Sequence, residues 1–176
     1  MRYAVIIEPL RVPLIPEVIA LMELGARYIT ARTYSDYWLY AELFSSTCRV
    51  ALDESRVVGV ALGFRSQDAP DDLYIQDVMT HPDHRRRGVT RELVDELQKQ
   101  AWLMGCRRLY LTSEPGNSAA HKTWETLGFA NVHGDRIFDG VSVITDFKGP
   151  GKTRAVYELI LGASAARPTS THTPLT

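Results

Sequence analysis

Apolar positions along the chain change their spacing several times, and each change marks an element. Residues 3–7 read as a first strand. Pro13 and Pro16 then suit the first turn of a helix, whose apolar positions Leu14, Val18, Leu21, Met22 and Leu24 recur near a helical period before Gly25 ends it. "SDYWLYAELFSS" predicts a second helix, with Ser35 as its candidate cap. "CRVAL" and "RVVGVALGF" are β-branched runs joined by "DES", which predicts a hairpin. The acidic loop "SQDAPDD" leads into "LYIQDVMTH", another strand.

The period then lengthens. Val89, Leu93, Val94, Leu97, Ala101 and Met104 share one helical face, and Gly105 is a stop signal. "RRLYLTS" reads as a buried strand, Asn117 as the cap of a short helix through Leu127, and "VSVITDF" and "AVYELIL" as two late strands. Ala120, Trp124 and Leu127 face inward on the short helix. The order β–α–α–β–β–β–α–β–α–β–β predicts an α/β domain whose mixed sheet includes hairpins and so cannot be purely parallel.

Length adds a domain count. The 176 residues suit one domain, placed at 1–162, and the small, polar, proline-bearing stretch 163–176 reads as a disordered tail. An apolar fraction of 45% suffices for a core. With 20 basic and 21 acidic residues the net charge is −1, which argues against nucleic-acid or anionic-membrane partners. Cys48 and Cys106 form no CxxC pattern, so neither a disulfide framework nor a zinc cluster is expected. No stretch is long enough for a signal core or a membrane span, and a cytoplasmic protein is expected.

Against that balanced background "HPDHRRRGVT", residues 81–90, stands out. An arginine run can be a nucleic-acid patch, a solvated surface or the mouth of a phosphate site, and the net charge removes the first. A strand ends before Arg85–Arg86–Arg87–Gly88 and a long helix follows. Unpaired N–H groups at a helix start, a glycine that lets a ligand approach, and planar arginine donors together suit phosphate oxygens. A basic surface loop is the plain alternative.

Arg85-x-x-Gly88-x-Thr90 resembles the acyl-CoA signature Q/R-x-x-G-x-G/A of the GNAT (GCN5-related N-acetyltransferase) family. "VMTHPDHRRRGVTRELVDEL" is similar to that family's strand, loop and helix, "RRLYLTS" to its fifth strand, and "NSAAHKTWETLGF" to the helix after it, so the resemblance spans roughly residues 50–161. It implies a mostly antiparallel mixed sheet flanked by helices, with acetyl-CoA as co-substrate. It further implies that the N–H of Val78 polarises the thioester and that Val78 and Thr80 pair with pantetheine. Arg86, Gly88, Thr90 and Arg91 would offer backbone N–H groups to the pyrophosphate, with Arg85 and Arg87 as charge partners and Asn117 on the pantetheine arm. Members of the family often dimerise through late strands.

Two positions depart from the pattern. Thr90 stands where the family prefers Gly or Ala, so its side chain either crowds the pyrophosphate or donates to it. Trp124 stands where a tyrosine usually protonates the departing thiolate; its indole is read as core packing or a wall of the CoA channel. Attack on a thioester also needs a neutral amine. The resemblance places Gln76 and Asp77 just before the splay of the fourth strand, where some members of the family carry a carboxylate at each position; Gln76 cannot act as a base, which leaves Asp77, either as base or as an orienting carboxylate. Tyr74, Glu114 and His121 are weaker candidates.

The second helix carries Tyr34, Tyr37, Trp38, Tyr40 and Glu42, and rings with acids suit a cationic amine. Tyr34 and Trp38 are candidate substrate residues, with core packing as the alternative. "DFKGPGKT" nearly matches a nucleotide P-loop, but Asp146 replaces the first glycine and no helix follows, so it is read as a glycine loop able to shape the acceptor site. His81, Asp83 and His84 lack further ligands for a metal. The expectation is acetyl transfer to a primary amine of a small molecule: an amino-sugar antibiotic, an amino acid or a polyamine. The alternatives are a protein lysine or N-terminus as acceptor, or a catalytically weak acyl-CoA sensor.

Overall fold

The computed structural model describes residues 4–162. The segment read as a disordered tail, 163–176, lies outside the described residues. Strand β1 is Ile6–Pro9, starting later than the sequence suggests. A 3-10 turn at Val12–Leu14 leads into α1, Ile15–Glu23, and α2 follows at Tyr34–Leu43. Then come β2 (Cys48–Asp53), β3 (Arg56–Arg65) and β4 (Asp72–Thr80). A second 3-10 turn, Pro82–His84, precedes α3, Val89–Leu103. The chain continues with β5 (Arg108–Ser113), α4 (Ser118–Thr126), β6 (Ala130–Asn131), β7 (Arg136–Phe138), β8 (Val141–Val143) and β9 (Ala155–Ile160).

Among the described residues seven strands form one sheet in the order β1-β2-β3-β4-β5-β9-β6, and β7 with β8 makes a separate hairpin. Every pairing in the large sheet is antiparallel except β4 with β5. The mixed α/β sheet expected from the element order is therefore present. The β2–β3 hairpin turns at Glu54 and Ser55, both with positive φ, as a two-residue hairpin loop with matching twist requires.

Helices cover both faces. On one, Val89, Leu93 and Leu97 of α3 pack with Leu73, Ile75 and Leu111 of the sheet. On the other, Val18 and Met22 of α1 and Tyr37 of α2 pack with Val50, Val60 and Leu62. Strand β3 lies between the layers and is buried from Val57 to Gly63, which explains why its sequence is an apolar run instead of an alternation. Gly59 fixes how closely α3 sits: a Cβ there would lie 2.8 Å from Val89 Cγ1 and 3.0 Å from Leu93 Cδ1. Thr80 is the register partner of Gly59, so this close contact seats the start of α3 beside the end of β4.

The cap of α2 is Thr33, not Ser35. Its Oγ1 accepts the Asp36 N–H at 3.3 Å while the Asp36 carboxylate accepts the Thr33 N–H at 3.0 Å, a reciprocal capping box. The helix then buries Tyr37 and Ala41. Tyr34 and Trp38 each remain 48% exposed; Trp38 lies about 100° of helix rotation beyond Tyr37. The core alternative for these two side chains therefore does not hold. The short strands β6 and β7 carry too few residues to show a period. Of "VSVITDF" only the first three residues are strand, although Ile144 still bridges to Arg154.

Candidate active site

The site begins where β4 leaves β5. Only Asp72–Ile75 pair with Arg108–Leu111; β5 then continues against β9 alone, through Thr112 and Ser113. At the same point the register between β3 and β4 shifts, with Gly63 opposite Ile75 but Leu62 opposite Asp77, so Gln76 is an extra residue. A bulge of this kind bends its strand and increases local twist. The two strands diverge and open a cavity of about 1100 Å³.

The backbone facing that gap follows from the ladder. The His81 N–H donates to the Val58 carbonyl at 2.8 Å. Directly opposed antiparallel residues alternate between bonded and non-bonded pairs. Counting back from His81, Thr80 and Val78 occupy non-bonded positions against Gly59 and Ala61. Their N–H groups point away from β3, into the gap.

Beyond β4 the chain makes the turn at residues 85–88. Arg86 takes φ +58° and Gly88 φ +90°. Gly88 is the N-cap of α3, and among the described residues no side chain caps that helix. Its first-turn donors are thus left for another partner, next to the positive end of a 15-residue helix. A Cβ on Gly88 would meet no atom of the described residues within 4 Å, so the position is open. Arg85, Arg86, Gly88, Thr90 and Arg91 line the cavity; Arg87 is not among its lining residues. Thr90 Oγ1 and Thr80 Oγ1 share a hydrogen bond of 3.0 Å. The Thr90 hydroxyl therefore ties the end of β4 to the first turn of α3. The Arg91 guanidinium donates to the Thr126 carbonyl at 3.3 Å, joining α3 to the end of α4.

The far wall comes from β5 and α4. Asn117 caps α4 by accepting the Ala120 N–H at 3.1 Å, and it lines the cavity with Thr112, Ser113 and Trp124. The Trp124 indole N–H donates to Ser113 Oγ at 3.0 Å. Its ring is 9% exposed and packs edge-on against Phe129. Trp124 is thus a core residue that also forms cavity wall.

Asp77 occupies the α1–α2 side of the sheet, opposite Leu62. Its carboxylate is met at 2.7 Å by Arg32, from the loop before α2. Burial pushes the Asp77 carboxyl above the ordinary carboxylate range, and the charges of Arg32 and Lys148 pull it partly back. Lys148, Lys152 and Arg154, all from the segment between β8 and β9, complete this end of the cavity. The Glu114 carboxylate pairs with Arg154 at 2.9 Å. Tyr74 accepts a hydrogen bond from Lys148, and its hydroxyl lies 3.3 Å from Thr112 Oγ1. His121 is buried against Tyr157 and does not line the cavity.

Tyr34 and Trp38 do not reach the cavity either. Aromatic composition points to α2, but the loop ahead of it, through Tyr28, Ile29 and Arg32, is what lines the space. Arg32, Ser113 and the two lysines were not singled out from the sequence. The lysines lie in the glycine loop already expected to shape the acceptor site; nothing local in the sequence marks Arg32, whose partner lies 45 residues away.

Residues 19–129 match the model of the Acetyltransferase (GNAT) family. The chain belongs to this family. Among relatives of this GNAT chain is an L-2,4-diaminobutyric acid acetyltransferase from Chromohalobacter salexigens, 33% identical over 85 residues, or 48% of this chain and 44% of the relative. An aminoglycoside N(6')-acetyltransferase type 1 from Salmonella typhimurium is 27% identical over 81 residues, covering 40% of this chain and 56% of the relative. The matches thus span about half the length of these relatives. The fold is shared with a diaminobutyrate acetyltransferase from Paenibacillus lautus solved with its substrate and coenzyme A (TM-score 0.69, 22% identity, 89% of this chain and 94% of that one). It is also shared with Ard1 from Thermoplasma volcanium (TM-score 0.73, 16% identity, 90% and 99% coverage).

Proposed function

We propose that this GNAT protein is an acetyl-CoA-dependent N-acetyltransferase acting on a primary amine of a small molecule. The observation that carries the reading is the pair of outward N–H groups at Val78 and Thr80, running directly into the uncapped start of α3. An extended pantetheine arm would pair with that edge as an added strand. The pyrophosphate would meet the first-turn N–H groups of α3 with Arg85 and Arg86 beside them. The Asn117 amide would meet the arm from the opposite wall.

In the reaction, the amine nitrogen attacks the thioester carbonyl, the new C–N bond forms, and the C–S bond breaks. The Val78 N–H would stabilise negative charge building on the carbonyl oxygen. The amine must shed a proton, and a free alkylammonium has a pKa of about 10, so a group that binds or removes that proton speeds the step. Asp77 fills this role: burial raises its basicity, and its pairing with Arg32 fixes its position. The Trp124 indole is engaged with Ser113 and supplies no acid, so the thiolate takes its proton from solvent in the open cavity. The diaminobutyric acid and aminoglycoside acetyltransferases among the relatives support a small-molecule acceptor.

Calorimetric titration with acetyl-CoA tests the first half of this reading. Saturable one-to-one binding that weakens in Arg85→Ala is the expected result. Absence of binding by the folded protein would overturn it.

A further inference from the structure

We propose that the acceptor carries a carboxylate beside its reactive amine, placing it with the amino acids and not with polyamines or amino sugars, and that Lys148 and Lys152 recognise that carboxylate. The inference rests on the acetyl-transfer reading and narrows its substrate.

The two faces of the sheet divide the charges of the cavity. The arginine turn and the start of α3 belong to the α3 side. Tyr74 and Asp77 stand opposite Phe64 and Leu62, in the layer under α1 and α2. Lys148 lies over the Tyr74 ring, 5.0 Å from its centroid, and bonds to its hydroxyl. It is therefore on the acceptor side, away from the anion cradle. At this end the lining cations are Arg32, Lys148, Lys152 and Arg154, against the carboxylates Asp77 and Glu114. Both carboxylates are already matched, Asp77 with Arg32 at 2.7 Å and Glu114 with Arg154 at 2.9 Å. Among the described residues no ion pair involves Lys148 or Lys152, and although the Lys148 charge reaches Asp77, the lining cations at this end outnumber the carboxylates four to two.

The lysines are held on a built turn. The Gly151 N–H donates to the Asp146 carboxylate at 2.7 Å, and the Lys148 N–H donates to the Lys152 carbonyl at 3.2 Å. Tyr74, which seats Lys148, itself packs at a tilt of 46° against Tyr110, with ring centroids 5.0 Å apart. A polycationic acceptor would meet this surplus with like-charge repulsion, whereas an amino acid would set its amine toward Asp77 and its carboxylate toward the lysines.

The test compares amines that differ only by a carboxylate: ornithine with putrescine, and lysine with cadaverine. Turnover with acetyl-CoA is measured for each, and each is also titrated into protein saturated with CoA. The amino acid should exceed its decarboxylated partner by about tenfold or more in kcat/KM and in affinity, the range expected of a charged hydrogen bond. In the double variant Lys148→Glu, Lys152→Glu that preference should vanish or reverse through KM, with acetyl-CoA affinity retained. Lys148→Gln with Lys152→Gln, a milder change at exposed positions, should show the same loss. Diamines bound or turned over as well as amino acids would overturn the proposal, as would a preference unchanged in both variants or no binding of any of the four compounds. Tighter binding of the amino acids without acetylation of any amine would sustain the carboxylate site and sink the acetyl-transfer reading. Turnover favouring the diamines would do the opposite.

Discussion

The Arg32 guanidinium lies 2.7 Å from the Asp77 carboxylate, with side chains 28% and 13% exposed. The pair ties the loop before α2 to the strand that bends away from β5. It holds the carboxylate at the cavity wall while leaving it in a poorly solvated place where its charged form is disfavoured.

That environment predicts the effect of Asp77→Asn on activity. If Asp77 receives the amine proton, the rate should fall by about 100-fold, within the usual range for general-base removal. The acid limb of the wild-type pH profile should disappear with it. A variant with lower rate but an unchanged profile shape would leave Asp77 as a positioning residue. Steady-state rates between pH 5 and 9 make the distinction.

The same shift has a stability consequence. A raised folded-state pKa means that the folded protein binds more protons than the unfolded one in mild acid. The contribution of Asp77 to stability is fully present below the ordinary carboxylate pKa and is lost as pH rises through the raised one. Relative to wild type, Asp77→Asn should therefore gain thermal stability as pH goes from mildly acidic to neutral. A difference in Tm that is flat or falls with pH would contradict this.

Gly88 and Arg85 test the anion cradle separately. Gly88→Ala forces a Cβ onto a residue at φ +90° and should cost about 1–2 kcal/mol of stability. It should also weaken acetyl-CoA binding, because the substitution narrows the approach to the first turn. Arg85→Ala should leave the fold intact and weaken acetyl-CoA by about 1–3 kcal/mol. Calorimetry with thermal unfolding of each variant separates the two effects.

Thr90→Ala should behave differently from both. Its hydroxyl is engaged by Thr80 at 3.0 Å, so its loss should cost about 1 kcal/mol of stability and leave acetyl-CoA affinity close to wild type. Similarly, Trp124→Phe keeps an aromatic ring but removes the indole N–H that Ser113 Oγ accepts, at about 1–2 kcal/mol of stability. Its turnover should stay near wild type if the indole plays no part in protonating the thiolate. A large fall in kcat with unchanged stability would refute that assignment.

Where one residue's neighbours decide its environment, the sequence was informative. Val89, Leu93, Val94, Leu97 and Ala101 announced α3 by period, and all five are buried. "RRRG" before that helix marked the turn with its left-handed glycine. Contacts between distant segments were not legible. Ser35 and Thr33 are both good caps, and only the Asp36 side chain turning back to Thr33 decided between them. Tyr34 and Trp38 looked chemically apt, but the rotation of α2 faces Tyr37 inward and leaves those two exposed. Arg32, Lys148 and Lys152 come from loops without periodicity, and their importance depends on the cavity they share. The Gln76 bulge, which opens the gap beside β5, follows from a one-residue register shift that no residue type at that position requires.

The most direct test of the account is release of CoA thiol from acetyl-CoA by the purified protein across a panel of small primary amines, with products identified by mass spectrometry. The account predicts amine-dependent thiol release matched one-to-one by an N-acetylated product. Folded protein that binds acetyl-CoA yet forms no acetylated amine at any pH between 6 and 9 would contradict it.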